Sequence, residues 1–317
     1  MVWYVVPCFR PRDHCHPVLT EEARAFFSLL SEDLRTLERS LQAEGGSVSL
    51  RWSAEAMNLL KRMQVELVAL FKRSPQLPAP SAAEEGWLDQ FMRETAALLD
   101  FCNSLKCSLS AVRRYRMAAD LVAHRFAAED GGSMNESEFE RLEKVRVDVG
   151  VPRATTKEST VVVGVGNGSI AAVMLAARAT TASVSLILVS AVASPTPTTI
   201  DVVASGFPDQ LRPFADTLRA LTVRFREGVD VSGTRFVLAE HEAVESAVGD
   251  LRARVMAGDH NKEREGFLRS VVLLGTSSAE LREGVEMFDA AVDEVFDVVV
   301  RGRKEMLGMF RDELLSM

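Results

Sequence analysis

From Leu281 onward an apolar or small residue recurs at steps of four and three: Leu281, Val285, Phe288, Val292, Val295, Val299, Gly302, Met306 and Met309. Residues at these steps share one face of an α-helix, and a strict 3.5-residue period keeps that seam straight along a neighbouring helix. A strand cannot use such a pattern, because its successive side chains alternate between faces. Ser277 and Glu280 stand three apart just upstream, the spacing of a capping box, in which hydroxyl and carboxylate each satisfy an amide of the first turn. The pattern predicts a long C-terminal helix over 277–316. Gly302 leaves no side chain where a coiled-coil knob would stand, so the seam is read as packing against helices of the same chain.

The rest of the chain supports the same class, an all-α elongated helical bundle with long antiparallel helices. Thr20 is a candidate N-cap before Glu21 and Glu22, and Phe26, Phe27, Leu30, Leu34, Leu37 and Leu41 follow at helical spacing as far as Gly45 and Gly46. A second amphipathic run starts near Ser53 and carries Ala56, Leu59, Leu60, Met63, Leu67 and Leu70. Residues 19–73 are therefore expected to form a helical hairpin, preceded by a mobile arm over 1–18. The stretch 74–86 holds three prolines and reads as a linker.

Residues 87–317 are expected to form the main bundle. Trp87, Phe91, Leu98, Phe101, Cys102, Leu105, Leu109 and Val112 predict a long helix reaching about Phe126, and a short one is expected around 138–145. Further helices are predicted over 207–227, 234–256 and 262–274.

The segment 161–193 differs from everything around it, because Arg178 is its single charge. Neither half reaches a comfortable membrane-spanning length, so a buried helical hairpin with Arg178 at its turn is the expected form. A shallow membrane-associated hairpin is the alternative. Gly164, Gly166 and Gly168 after a valine run resemble a dinucleotide-binding turn. However, Ser169 replaces the third glycine, no acidic residue follows at ribose-binding distance, and no strand–helix alternation continues.

Charge and chemistry narrow the function classes. A net charge of −8 with bases interleaved among acids gives no phosphate-binding footprint, so no nucleic acid is expected. The opening lacks the basic region and apolar core of a signal peptide, which leads to the expectation of a cytoplasmic protein. Cys8, His14, Cys15 and His16 fit no common zinc spacing, and no metal or cofactor is expected. Cys8 and Cys15 lie beside aromatic and basic residues and are candidate lipidation sites. Cys102 and Cys107, five apart on a helix, point away from each other. His124, His241 and His260 are expected to be solvated, without a matched nucleophile, so no catalytic residue is assigned.

The C-terminal helix also carries segregated charge. Glu280 to Asp297 contains seven carboxylates against Arg282 alone, and Arg301, Arg303 and Lys304 follow. A solvated face over an internal seam is the plain reading. The functional reading is a partner-binding face made of Glu283, Glu286, Asp293, Asp297, Arg301, Arg303 and Lys304.

Two stretches bear a resemblance to a known family. Trp87-Leu88-Asp89-Gln90-Phe91-Met92 is followed by Leu98-Leu99-Asp100-Phe101-Cys102-Asn103-Ser104-Leu105-Lys106; in the last helix, Val292-Asp293-Glu294-Val295-Phe296 leads to Val300-Arg301-Gly302-Arg303-Lys304-Glu305-Met306-Leu307. With the amphipathic helix after Thr20 they resemble, in the same order, the plant BYPASS family of helical proteins of root and shoot development. The resemblance implies a non-enzymatic regulator, similar to proteins that restrain a root-derived mobile signal arresting shoot growth. It also implies protein partners, with exocyst-type tethering factors among them. The segment 161–193 departs from the aromatic-containing segment of that family.

Overall fold

The computed structural model describes residues 19–73, 87–128, 137–147, 169–193, 209–232, 238–257 and 264–316. Among these, the chain forms eight α-helices: α1 (Glu21–Ala43), α2 (Leu50–Arg73), α3 (Trp87–Ala128), α4 (Ser137–Val147), α5 (Ser169–Ala193), α6 (Arg212–Ser232), α7 (Ala239–Ala257) and α8 (Arg264–Ser316). A 3-10 turn, Asp209–Leu211, leads into α6, and the described residues contain no strand. The expected arm (1–18), the linker (74–86) and the glycines of the dinucleotide-like turn lie outside the described residues, and so do Cys8, His14, Cys15, His16 and His260.

The helix α8, 53 residues and about 80 Å long at 1.5 Å per residue, is the axis of the bundle. Its seam residues Leu281, Val285, Phe288, Val292, Val295, Val299 and Met306 are buried. The seam then drifts by one position, so that Phe310 is buried and Met309 only partly covered. That drift is what 3.6 residues per turn imposes on a 3.5-residue repeat. α2 runs parallel to α8, with Lys61 Nζ 2.6 Å from a Glu294 carboxylate oxygen and Lys72 paired to Glu305 eleven residues further along both helices. α3 runs antiparallel, since Lys106 Nζ lies 2.6 Å from Asp293 while Arg303, ten residues later, reaches back to Thr95. Aromatic contacts close both ends of this pair, Trp87–Phe310 at 5.3 Å and Phe126–Phe267 at 6.0 Å between centroids.

α7 packs on α8, and α2 packs along the second half of α8, from Leu50 at Gly284 to Lys72 at Glu305. The N-termini of α2 and α7 meet, joined by an isolated bridge between Val48 and Leu238 and by the Ala239 amide donating to the Val48 carbonyl at 3.1 Å. The positive ends of the two helix dipoles face one another there. The Glu240 carboxyl group accepts from the Leu50 amide with both oxygens, at 2.9 and 3.0 Å, and ties the start of α7 to the first amide of α2.

α1 and α2 form the expected antiparallel hairpin. Thr20 caps α1 by accepting from the Ala23 amide, and Arg62 pairs with Asp33 at 3.0 Å. The buried Trp52 donates its indole N–H to the Leu37 carbonyl at 3.0 Å, which satisfies the one polar atom of the largest fully buried side chain. α2 starts three residues earlier than expected, because Ser49 rather than Ser53 takes the capping role, its Oγ accepting from the Trp52 amide. α6 lies parallel to α1, with Phe27 on Phe214 and Arg224 near Glu38.

Two expectations are corrected. The segment after Ser169 is one continuous helix through Arg178 and not a hairpin turning there. No Gly or Pro occurs between 169 and 193, so nothing in the chain interrupts the helix. Arg178 instead reaches Glu94 of α3 at 3.2 Å, and the buried Ser183 returns its hydroxyl to the Ala179 carbonyl. The second correction concerns α8, which spans both the 262–274 and the 277–316 predictions without a break. Gly275 costs such a helix about 1 kcal/mol, which continuous packing of Phe267, Val271, Leu274 and Leu281 outweighs. Ser277 is buried inside the helix, and Ser278 donates to Asp120 of α3, so the capping-box spacing marks no helix start.

Candidate interaction surface

The charges of α8 are sorted by the helices beside it. On one flank Glu294 and Glu305 meet Lys61 and Lys72 of α2. On the other, Asp289 lies 2.8 Å from Arg113 and 3.6 Å from Lys106 of α3, and Asp293 lies 2.6 Å from Lys106. Lys106 holds its proton more strongly than an ordinary lysine, because Asp293 accepts a hydrogen bond from it and Asp289 adds attraction. These pairs occupy the positions that flank a coiled-coil seam, where charge fixes register more than it adds stability.

Two of the seven residues expected on the partner face are engaged within the chain instead: Arg303, and Asp293, which stays exposed but is paired with Lys106. Arg303 is half-buried and donates through Nη1 to the Met92 carbonyl at 2.5 Å and to Thr95 Oγ1 at 2.7 Å. Thr95 is itself buried on α3. The sequence shows three bases within four positions, and only their angular placement on the helix separates Arg303 from its neighbours.

The other five, Glu283, Glu286, Asp297, Arg301 and Lys304, are exposed. None of the five makes an ion pair among the described residues. With the exposed Ala290 they form an outer stripe opposite the seam, acidic at its beginning and basic at its end. A shallow groove of about 310 Å³ opens beside it between α2 and α8, lined by Arg51, Ala54, Glu55, Asn58, Met287 and Ala290 among others.

His241 is a further correction, because it is 1% exposed and stacks on Tyr115 of α3 with centroids 4.8 Å apart. The signal was available: position 241 shares a face with Val244, Leu251 and Val255, all buried. His124 is exposed, as expected. Cys102 is buried, and burial raises its thiol to about 12, whereas Cys107 is exposed. A thiol held that high is a poor nucleophile. No group of three or more His, Cys, Asp or Glu side chains that could hold a metal occurs among the described residues.

Sequence reasoning did not find Glu240. Burial raises its carboxyl above the usual value, opposed by hydrogen bonds from the backbone amides of Glu240 and Leu50, with Glu44 and Glu280 adding repulsion. Glu94 is raised by burial too, although Arg178 counteracts this. In each case a structural role, the helix junction or the α3–α5 contact, accounts for the environment.

The helix over Ser169–Val192 is long and apolar enough to cross a membrane, and 56% of its most apolar window is buried within the bundle. Its outward side carries Ala171, Leu175, Arg178, Ala182, Leu186 and Val189, partly or fully exposed. No family model, curated protein or solved structure matches the chain.

Proposed function

We propose that this chain is a non-enzymatic regulator of plant root and shoot development that acts in the cytoplasm as a helical scaffold for protein partners. The observation that carries the reading is the division of α8: its seam and flanking charges are consumed by α2, α3 and α7, while the stripe from Glu283 to Lys304 is left to solvent. A stiff helix held on two flanks presents such a stripe at low entropic cost to a binding helix.

The family resemblance supports the developmental assignment, and the two stretches that carry it pack against each other. Arg303 donates to the Met92 carbonyl and Lys106 meets Asp293. These two stretches thus pack as one structural unit, α3 on α8. Exocyst-type tethering factors are the partners to which the resemblance points.

Affinity purification from root or shoot tissue tests the reading, using the wild-type chain beside Glu283→Lys/Glu286→Lys. Specific partners recovered with wild type and depleted with the variant support it. Identical recovery with both would remove the stripe as the docking face.

A membrane-associated tether is the second reading, favoured by the half-exposed apolar side of α5 or by lipid on Cys8 or Cys15. Flotation after carbonate extraction discriminates. A wholly soluble chain, for wild type and Cys8→Ser/Cys15→Ser alike, rejects this reading.

A further inference from the structure

The outer stripe of α8 is complementary to itself. Glu283 and Lys304 are equidistant from a point between Asp293 and Glu294, and so are Glu286 and Arg301. Two copies of α8 laid antiparallel about a two-fold axis at that point would bring Glu283 opposite Lys304 and Glu286 opposite Arg301, each pair occurring twice. The steps along the stripe, from 283 through 286, 290, 297 and 301 to 304, keep it on one side of the helix.

The residues nearest the axis allow close approach. Ala290 would face Asp297 of the second copy, so a small side chain meets each of the two leftover acids. The groove beside Ala290 offers space to that carboxylate; Arg51 and Asn58 line it, and so do Glu55 and Glu294, each already paired to a base of its own chain. At the axis, Asp293 of one copy would approach Glu294 of the other. Both are already neutralised within their own chain, by Lys106 and Lys61 at 2.6 Å each, so the like-charge contact is relieved.

From this pattern we infer that the docking surface on α8 takes a second copy of this chain, in an antiparallel, isologous pairing of the two outer stripes. The inference rests on the reading of α8 as a docking face and names its occupant. A two-fold pairing uses one patch on both copies, which is the commonest route to a dimer. It uses the face opposite the heptad seam and leaves the internal packing intact. Being made of exposed charges around one alanine, the interface is weak and salt-sensitive, and its pairs at contact distance outlast the repulsion between two chains of net charge −8, which a Debye length of about 10 Å at 0.1 M salt screens.

Sedimentation velocity on the full chain tests this at about 100 μM protein in 0.1 M and 1 M NaCl. The expected result is a dimer population at 0.1 M that is lost at 1 M. Arg301→Glu/Lys304→Glu makes the stripe wholly acidic, and Glu283→Lys/Glu286→Lys removes its acidic half. Each variant alone should be monomeric at 0.1 M, whereas an equimolar mixture should dimerise. The fourfold swap combining both restores self-pairing. Circular dichroism at 222 nm confirms that each variant is folded, and these exposed positions should not disturb it.

A monomer under all conditions, or a dimer that survives both charge reversals, overturns the inference. So does failure of the mixture and of the fourfold swap to dimerise. Because the measurement uses pure protein, its failure leaves a heterologous partner standing, which the tissue purification examines separately.

Discussion

The tightest glycine contact among the described residues lies between α6 and the turn joining α1 to α2, and it makes Gly228 the most informative position to change. A Cβ added at Gly228 would lie 2.3 Å from the Gly46 carbonyl oxygen and 2.7 Å from both the carbon and the Cα of Gly46. Gly46 has φ +87°, the left-handed region that glycine adopts without strain, so the turn cannot easily yield. These are main-chain atoms, and relieving the contact requires α6 to move by about 1 Å from α1. Overpacking of this kind costs about 1–3 kcal/mol, with a backbone obstacle at the upper end. Alanine regains about 1 kcal/mol of helix propensity over glycine. The net expectation for Gly228→Ala is a loss of about 2 kcal/mol.

Gly275→Ala in α8 is the matched control, because a Cβ there meets nothing within 4 Å. It should gain about 0.5–1 kcal/mol from propensity alone. Gly302 falls between, since its Cβ would meet one methyl of Val68 at 2.9 Å, whereas at Gly284 the Cβ would meet both Cδ1 and Cβ of Leu50, at 2.8 and 2.9 Å, and the latter moves only with the α2 backbone. Urea unfolding followed at 222 nm, with a second probe to check for a single transition, measures the series. If Gly228→Ala were as stabilising as Gly275→Ala, the packing of α6 against the turn would be refuted.

Three further outcomes follow. Arg303→Ala should cost about 1.5–3 kcal/mol by removing a charged donor from Met92 and Thr95, whereas Arg301→Ala, two residues away, should stay within about 0.5 kcal/mol; equal effects would show that Arg303 is solvated after all. Glu240 has a raised pKa, so its protonated form favours the fold below the ordinary value of 4.5, and that contribution is lost as pH rises through the folded value. Glu240→Gln, which still offers an oxygen to the Leu50 amide, should therefore be at least as stable as wild type at pH 7, with the gap narrowing toward pH 4.5. A gap of constant size in urea titrations across that range would contradict the burial argument. In a Cys8→Ser/Cys15→Ser background, a thiol reagent at pH 8 should label Cys107 at once and Cys102 only as the bundle opens; simultaneous labelling would mean that α3 is not packed on α8 at that level.

The fold class was legible because the apolar period of each helix survives in the structure almost residue by residue. Leu34, Leu37 and Leu41 on α1, and Val285, Phe288 and Val292 on α8, are buried where their spacing put them. What local reading missed were features decided by distant partners. Ser277 and Glu280 satisfy a capping pattern, yet helix termination depends on what packs beyond it, and here Asp120 and the α3 surface keep the helix going. Arg178 looks like a turn residue in an apolar run until Glu94, more than eighty positions away, is placed opposite it. Of the seven charged residues assigned to the outer face of α8, Arg303 proved half-buried and Asp293, though exposed, proved paired with Lys106, for the same reason. A charge has no period of its own to reveal its side; only the neighbouring helix does.

The meeting of α2 and α7 at their N-termini explains why so long a helix as α8 is built as one piece. Two shorter helices stacked end to end along a flank would leave a joint free to bend, and two like dipole ends there would repel. α8 passes the joint without interruption at Gly284, where the missing side chain lets Leu50 sit against its backbone. Glu240 places a carboxyl group on the amide end of α2, and α3 spans the same level on the opposite flank through Tyr115 and His241. A break in α8 at Gly275, as the capping signal suggested, would put a second hinge about ten residues from the first. The outer stripe from Glu283 to Lys304 starts at the level of this joint and runs along the part of α8 clamped between α2 and α3, so the charges left to solvent are those whose spacing the fold holds most firmly.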